Sequence, residues 1–316
     1  MDVSCTTLRA GCKINLFLHV GARLANGYHS LESLFIPLRE PHDLLEVRLL
    51  PGAPEGSVTV SFHTADGFGE PLPGIDPIRN TVTRACTWHA EQTGYAPALD
   101  ICVRKGIPHG AGLGGGSADA AAILFWLRAR AAEAGVPLPP PDLFAQNTAA
   151  IGADVPFFIL NRTALASGVG EKLTPVPNPY AGHYLLLLCP GIAVSTAWAF
   201  GALDAAREAG SFTDGPEKNP EKNATAVLTS EGSRATHSLA RTPGRGNDFE
   251  PIVFAAYPEL ARLHGQLLSS GASEARMSGT GSSFFALYRD EKNARETAKK
   301  LAKDEYTVYI QYLSGI

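Results

Sequence analysis

The sequence predicts an α+β protein with two domains. Three observations point there. Apolar and polar residues alternate in several short runs, as in strands that bury one face. A glycine-rich loop opens directly into a long alanine-rich helix. Helix-like and strand-like segments then alternate through the second half of the chain. At 316 residues the chain is long enough for two cores.

Taken in order, "CKINLFLHVGARLANGYHSLESLFIPL" (12–38) begins as a strand. Ile14, Leu16 and Leu18 alternate with Asn15, Phe17 and His19, and Asn26-Gly27 supplies a turn. Further strands are expected at "DLLEVRLL" (43–50), "SVTVSFH" (57–63) and "ALDICVRK" (98–105). "NTVTRACTWHAEQTG" (80–94) reads as a helix closed by Gly94. "SADAAAILFWLRARAAEA" (117–134) is the strongest helix, stopped by Gly135 and Pro137. "VPLPPP" is a stiff connector, and Asp142 is placed to cap the helix "LFAQNTAAIG". After "VPFFIL" (155–160) the pattern returns to strands and turns, including the core strand "YLLLLC" (184–189).

A boundary near 165–175 gives domains 1–170 and 171–316. Residues 203–246 are polar and turn-rich, and read as a surface excursion, partly helical. A helix is expected over 251–269. "ARMSGTGSSFFALY" (275–288) is a glycine turn entering a strand. "EKNARETAKKLAKD" (291–304) is a helix with an exposed face, and "YTVYIQYL" is a last strand.

Composition excludes several function classes. With 45% hydrophobic and 18% charged residues and a net charge of -4, no nucleic-acid or anionic-membrane partner is expected. Five cysteines without a C-x-x-C argue against a disulfide framework or zinc site and for a reducing cytoplasm. No run is long and apolar enough to span a bilayer, and the N-terminus lacks a secretory signal. The nine histidines show no H-E-x-x-H spacing, so no metal ligand is assigned.

The chemistry concentrates in "KGIPHGAGLGGGSADAAA" (105–122), with Gly110, Gly112, Gly114, Gly115 and Gly116. GAGLGG fits the dinucleotide fingerprint G-x-G-x-x-G. That reading also needs an acidic residue roughly 20 positions on, ending the next strand. The nearest candidate, Glu133, lies at the end of the helix. A Walker A loop needs a lysine after its last glycine, and none follows Gly115 or Gly116. What remains is a glycine loop entering a helix, with Ser117 at the entry. Such a start offers free N–H groups and the positive end of the helix dipole to an anion. A plain flexible turn is the competing reading.

"GAGLGGGSADAA" resembles the P-x-x-x-G-L-G-x-S-S-A loop of the GHMP kinases, which cradles ATP phosphates without being a Walker A. The resemblance runs in order along nearly the whole chain: "KINLFLHVGARLANGYHSLESLF" (13–35), "IGADVPFF" (151–158), "GVGEKLTPV" (168–176), "NDFEP" (247–251) and "MSGTGSSFFAL" (277–287). K-I-N-L followed by G-Y-H is similar to the branch whose acceptor is 4-diphosphocytidyl-2-C-methyl-D-erythritol, in non-mevalonate isoprenoid synthesis. The resemblance implies a ribosomal S5 domain 2-like N-terminal domain and a ferredoxin-like C-terminal domain. It also implies a cytoplasmic kinase using ATP and Mg²⁺, as a monomer or weak homodimer.

The same resemblance implies roles for particular residues. Asp154 becomes the general base and Lys13 its partner in the active site. Asn15, Tyr28 and His29 line the substrate site, with Tyr28 and His29 on the cytosine and Phe200 as a second stacking face. Asn80 and Lys105 approach the adenine side of ATP. Gly279 and Gly281 shape a second glycine loop closing near the phosphates and substrate. Local pattern alone reads these residues more plainly: Lys13 as a solvated strand lysine, Asp154 as a turn or cap, Asn80 as a helix cap, Lys105 as an exposed strand-end charge, and Phe200 as core. Ser117-Ala118 replaces the family's paired serines, and Leu24-Ala25-Asn26 its Arg-Pro-Asp. Another GHMP small-molecule kinase, or a non-catalytic nucleotide-binding protein on the same fold, stays open at this level.

Overall fold

The structure is a computed structural model and describes residues 5–65, 72, 74–212 and 246–314. The chain forms two compact units. The first holds residues 1–12, 41–107 and 114–161; the second holds 13–40, 108–113 and 162–316. The long strands β1 (Cys5–Arg23) and β2 (His29–Leu49) contribute residues to both.

In the first unit, the later part of β2 pairs antiparallel with β4 (Leu99–Lys105), Leu44 opposite Arg104 and Leu49 opposite Leu99. β3 (Val58–Thr64) runs parallel to β4. Parallel neighbours need a crossover, and α1 (Thr81–Thr93) supplies it. The burial of Leu99, Ile101 and Val103 follows the two-residue period of a half-buried strand. α1 packs on α2 (Gly115–Glu133), and α2 on α4 (Val155–Leu160). The ends of α1 fall where the sequence places them. Asn80 accepts from the Thr83 N–H at 2.9 Å, and Gly94 closes the helix in the left-handed conformation at φ 72°.

The second unit contains a four-stranded antiparallel sheet in the order β10-β7-β9-β8. Its strands are β7 (Tyr184–Cys189), β8 (Glu274–Met277), β9 (Phe284–Tyr288) and β10 (Thr307–Tyr312). Among the described residues, the helices between them are α5 (Thr196–Glu208), α6 (Glu250–Ala256), α7 (Pro258–Ser269) and α8 (Glu291–Lys303). α7 covers β8 and β9, while α8 covers β7, β9 and β10. The order 4-1-3-2 within this sheet is the ferredoxin-like arrangement expected of this part. Its core includes Leu186, Leu188, Leu263, Phe284 and Tyr288. The same unit also holds β5 (Ala164–Ser167), which pairs with Ser33, Leu34 and Phe35 of β2, and β6 (Lys172–Pro175) beside it.

Four expectations need correction. α2 begins at Gly115, so Ser117 is its third residue. Asp142 does not cap α3 (Pro141–Asn147): the proline at the first helical position starts the helix one residue earlier, and Asp142 sits in its first turn. The helix over 251–269 is broken in two at Tyr257, because Pro258 cannot donate to a continuing helix. Residues 203–208 complete α5, with Leu203 fully buried; the remainder of the expected surface excursion, from 213 to 245, lies outside the described residues.

Two outcomes follow from this packing. Leu186→Ala should destabilise the protein by about 2–5 kcal/mol in urea unfolding, whereas Lys299→Ala on the exposed face of α8 should change it by less than about 0.5 kcal/mol. Burial pushes the Cys86 thiol up to about 12 and the Cys189 thiol to about 11. Both stay protonated at pH 8, so a thiol reagent should modify exposed Cys5 well before either.

Candidate active site

In the first unit the site is built on the start of α2. Gly114 is its N-cap, left-handed at φ 74°, a conformation that side-chain-bearing residues resist. Glycine has no side chain to offer the first N–H groups of the helix, and no side-chain cap bond and no acidic residue occupies the first turn. Ser117 and Ala118 both donate to the Gly114 carbonyl at 3.0 Å. The N–H groups of Gly115 and Gly116 precede the helical ladder and point out of the helix start. The helix dipole adds positive potential at that spot, so the geometry suits an anion.

Neighbouring elements hold this start in place. The Thr81 hydroxyl, at the head of α1, donates to the Gly116 carbonyl at 2.6 Å. A Cβ added at Gly152 would stand 3.5 Å from the Ser117 hydroxyl. The structure therefore brings Ser117 beside the turn that leads to Asp154. Asp154 is half-buried and precedes α4, yet its side chain makes no capping bond to that helix. The Asn80 side chain is used locally: it caps α1 and donates to the carbonyls of Pro77 at 2.8 Å and Asp76 at 3.1 Å.

Lys105 is not the exposed strand-end charge that its position suggests. Its side chain is 9% accessible, ion-paired with Asp43 and 2.8 Å from Asp119. Burial works against its charge, but the coulombic pull of Asp119 and then Asp43 prevails and raises its pKa.

In the second unit, β1 is buried on both faces from Lys13 to Leu18, rather than on one. Lys13 is 5% exposed and Asn15 3%, so their polar groups need partners. The Lys13 ammonium donates to Asn15 Oδ1 at 2.6 Å and lies 4.6 Å from the centre of the Phe35 ring. Asn15 Nδ2 donates to the Ser33 hydroxyl at 2.9 Å, which donates to the Phe17 carbonyl at 2.6 Å. The solvated-lysine reading is excluded.

Two glycine segments meet this strand. Lys13 N–H donates to the Leu113 carbonyl at 3.0 Å. The Ser278 hydroxyl accepts from the Asn15 N–H at 3.1 Å and donates to the Gly112 carbonyl at 3.2 Å. Gly112 has φ 76°, and an added Cβ would overlap the Ser278 carbonyl oxygen. Gly279 and Gly281 both have positive φ, at 60° and 90°. Asn247, inside the N-D-F-E-P motif, donates to the carbonyls of Met277 at 2.9 Å and Gly279 at 2.7 Å. Gly110 is exposed, with φ 69°.

His29 is 8% exposed and its Nε2 lies 2.8 Å from Asp204 Oδ1. Its ring stacks on Phe200, centroids 5.0 Å apart and planes 25° apart. Phe200 also meets Phe249 edge-on and packs against the core. Tyr28 is 66% exposed. The structure thus brings His29 and Phe200 together. Asp43, Asp119, Asp204 and Asn247 were not singled out by sequence. Of these, Asp119 and Asn247 lay within family-like motifs, the glycine loop and N-D-F-E-P; Asp43 and Asp204 carried no signal.

Comparison with known proteins agrees with this geometry. The profile of the GHMP kinases N terminal domain matches residues 80–162, and that of the GHMP kinases C terminal matches 232–307. The 4-diphosphocytidyl-2-C-methyl-D-erythritol kinase of Nitratidesulfovibrio vulgaris is 47% identical over 306 residues, 96% of this chain and 97% of the relative. That of Solidesulfovibrio magneticus is 43% identical over 92% of this chain and 90% of its own. A crystal structure of 4-(cytidine 5'-diphospho)-2C-methyl-D-erythritol kinase superposes with a TM-score of 0.70 at 30% identity, covering 96% of this chain and 98% of that one. Homoserine kinase from Cytophaga hutchinsonii shares the fold, with a TM-score of 0.65 at 18% identity and coverage of 100% and 96%. A glycine-lined helix start without a Walker lysine is thereby explained: the chain belongs to the GHMP kinases, in the 4-diphosphocytidyl-2-C-methyl-D-erythritol kinase family.

Proposed function

We propose that this kinase transfers the γ-phosphoryl group of ATP to the 2-hydroxyl of 4-diphosphocytidyl-2-C-methyl-D-erythritol. The observation that carries the phosphoryl-transfer reading is the uncapped, glycine-lined start of α2. The acceptor comes from the names of relatives that cover nearly the whole chain. The domain division that goes with it assigns 1–170 to nucleotide binding and 171–316 to the C-terminal domain.

Phosphoryl transfer asks a protein mainly for positioning and charge stabilisation. Asp154 is assigned to take the proton of the attacking hydroxyl. Lys13, held by Asn15, is assigned to balance charge on the transferred group. Gly110, Gly112 and Gly114 to Gly116 let the backbone approach the triphosphate, and Asn80 and Lys105 belong to the nucleotide half. Mg²⁺ would neutralise phosphate charge, with the Ser117 hydroxyl as a protein oxygen for it; among the described residues no group of three His, Cys, Asp or Glu is arranged to hold a metal. Asn15, Tyr28, His29, Phe200, Gly279 and Gly281 form the acceptor half. A neutral His29 that donates Nε2–H to Asp204 presents Nδ1 as an acceptor, a match for the amino group of cytosine. The enzyme is placed in the cytoplasm as a monomer or weak homodimer, acting on a small molecule rather than on nucleic acid or membrane.

An acceptor panel with ATP tests the reading. Turnover of the cytidyl substrate and none of mevalonate or homoserine is expected; the reverse overturns it. Asp154→Asn should lower kcat by about 10²–10⁴-fold while nucleotide affinity, followed with a fluorescent ATP analogue, stays within about threefold. His29→Ala should raise KM for the cytidyl acceptor at least tenfold and leave KM for ATP unchanged.

A further inference from the structure

Asp43, Lys105 and Asp119 form a buried charge cluster of the first unit, at the two ends of the glycine loop. Asp43 Oδ1 accepts from the N–H groups of Gly106 at 2.7 Å and Ile107 at 2.8 Å, where the chain leaves β4. Its other oxygen pairs with Lys105, and Lys105 reaches Asp119 at 2.8 Å, on α2. Asp43 and Asp119 are 0% and 1% exposed. The second Asp119 oxygen, Oδ1, has no hydrogen-bond partner among the described residues.

Two carboxylates and one ammonium in a dry site are a poor way to gain stability. Desolvation offsets most of the attraction, and apolar replacements of such clusters are often neutral or better. Burial pushes the Asp119 carboxyl up, even though Lys105 pulls it down. What the cluster does achieve is geometric. Asp43 holds the loop entry through two backbone N–H groups. Lys105 ties that entry to Asp119, four residues into α2, and so fixes how the helix is rotated about its axis. That rotation aims the N–H groups of Gly115 and Gly116. Between the two anchors the chain is glycine-rich and would otherwise lose much conformational freedom on binding.

We infer that Asp43, Lys105 and Asp119 are positioning residues that preorganise the glycine loop for the triphosphate, Lys105 acting by tying the loop entry to α2 rather than on the nucleotide itself. This rests on the reading of the α2 start as the phosphate site.

The test is direct ATP binding by calorimetry on the full chain, beside thermal melting and acceptor binding. The double variant Lys105→Met with Asp119→Leu replaces charge by apolar volume. It should melt within a few degrees of the wild type, lose at least tenfold in ATP affinity, and keep its affinity for the acceptor. Wild-type ATP affinity in a folded double variant overturns the proposal, as does equal weakening toward ATP and acceptor. If the double variant does not fold, Lys105→Gln decides: it should weaken ATP binding at least threefold, and unchanged affinity overturns the proposal. A wild-type protein that binds no ATP contradicts the nucleotide reading itself, which separates the two failures.

Discussion

A helix that opens Gly114-Gly115-Gly116 carries no side chain able to satisfy its own first N–H groups. The start of α1 shows the alternative, closed by the Asn80 side chain. Leaving the α2 start open costs stability in the absence of a ligand and offers it to an anion. The rest of the first unit's site follows from holding that start still. Thr81 grips it from α1, Gly152 leaves room for the Ser117 hydroxyl, and the Asp43–Lys105–Asp119 cluster fixes the chain on either side.

The second unit obeys a different constraint. A lysine and an asparagine within a doubly buried strand must be partnered inside the protein. Their partners come from three distant segments: Ser33 on β2, Leu113 in the first glycine segment, and Ser278 in the second, whose hydroxyl also donates to Gly112. One serine hydroxyl therefore couples the strand that carries Lys13 to both glycine segments. Asn247 then holds the carbonyls on either side of that serine. The same hydrogen bonds that make burial of Lys13 tolerable also fix where its ammonium sits.

Sequence and structure agree best where a signal is local. Asn80 and Gly94 mark the ends of α1 because capping depends on a few adjacent residues. The strand at 184–189 and the helix near 291–304 were legible for the same reason. Local pattern failed where tertiary packing decides. Alternation in β1 suggested one buried face, but packing covers both. Lys105 looked like a surface charge, since its two carboxylates lie 62 and 14 residues away. Asp204 pairs with His29 across 175 residues, a separation at which a single sequence carries no signal. Lys13, Asp154 and the G-Y-H segment stood out only through family resemblance, because each has an ordinary local reading.

The central claim is that the α2 start is a phosphate cradle. Its most direct test is a crystal structure with a non-hydrolysable ATP analogue. The account predicts phosphate oxygens about 2.7–3.2 Å from the N–H groups of Gly115 and Gly116. A triphosphate bound elsewhere, with those N–H groups left to solvent, would contradict it.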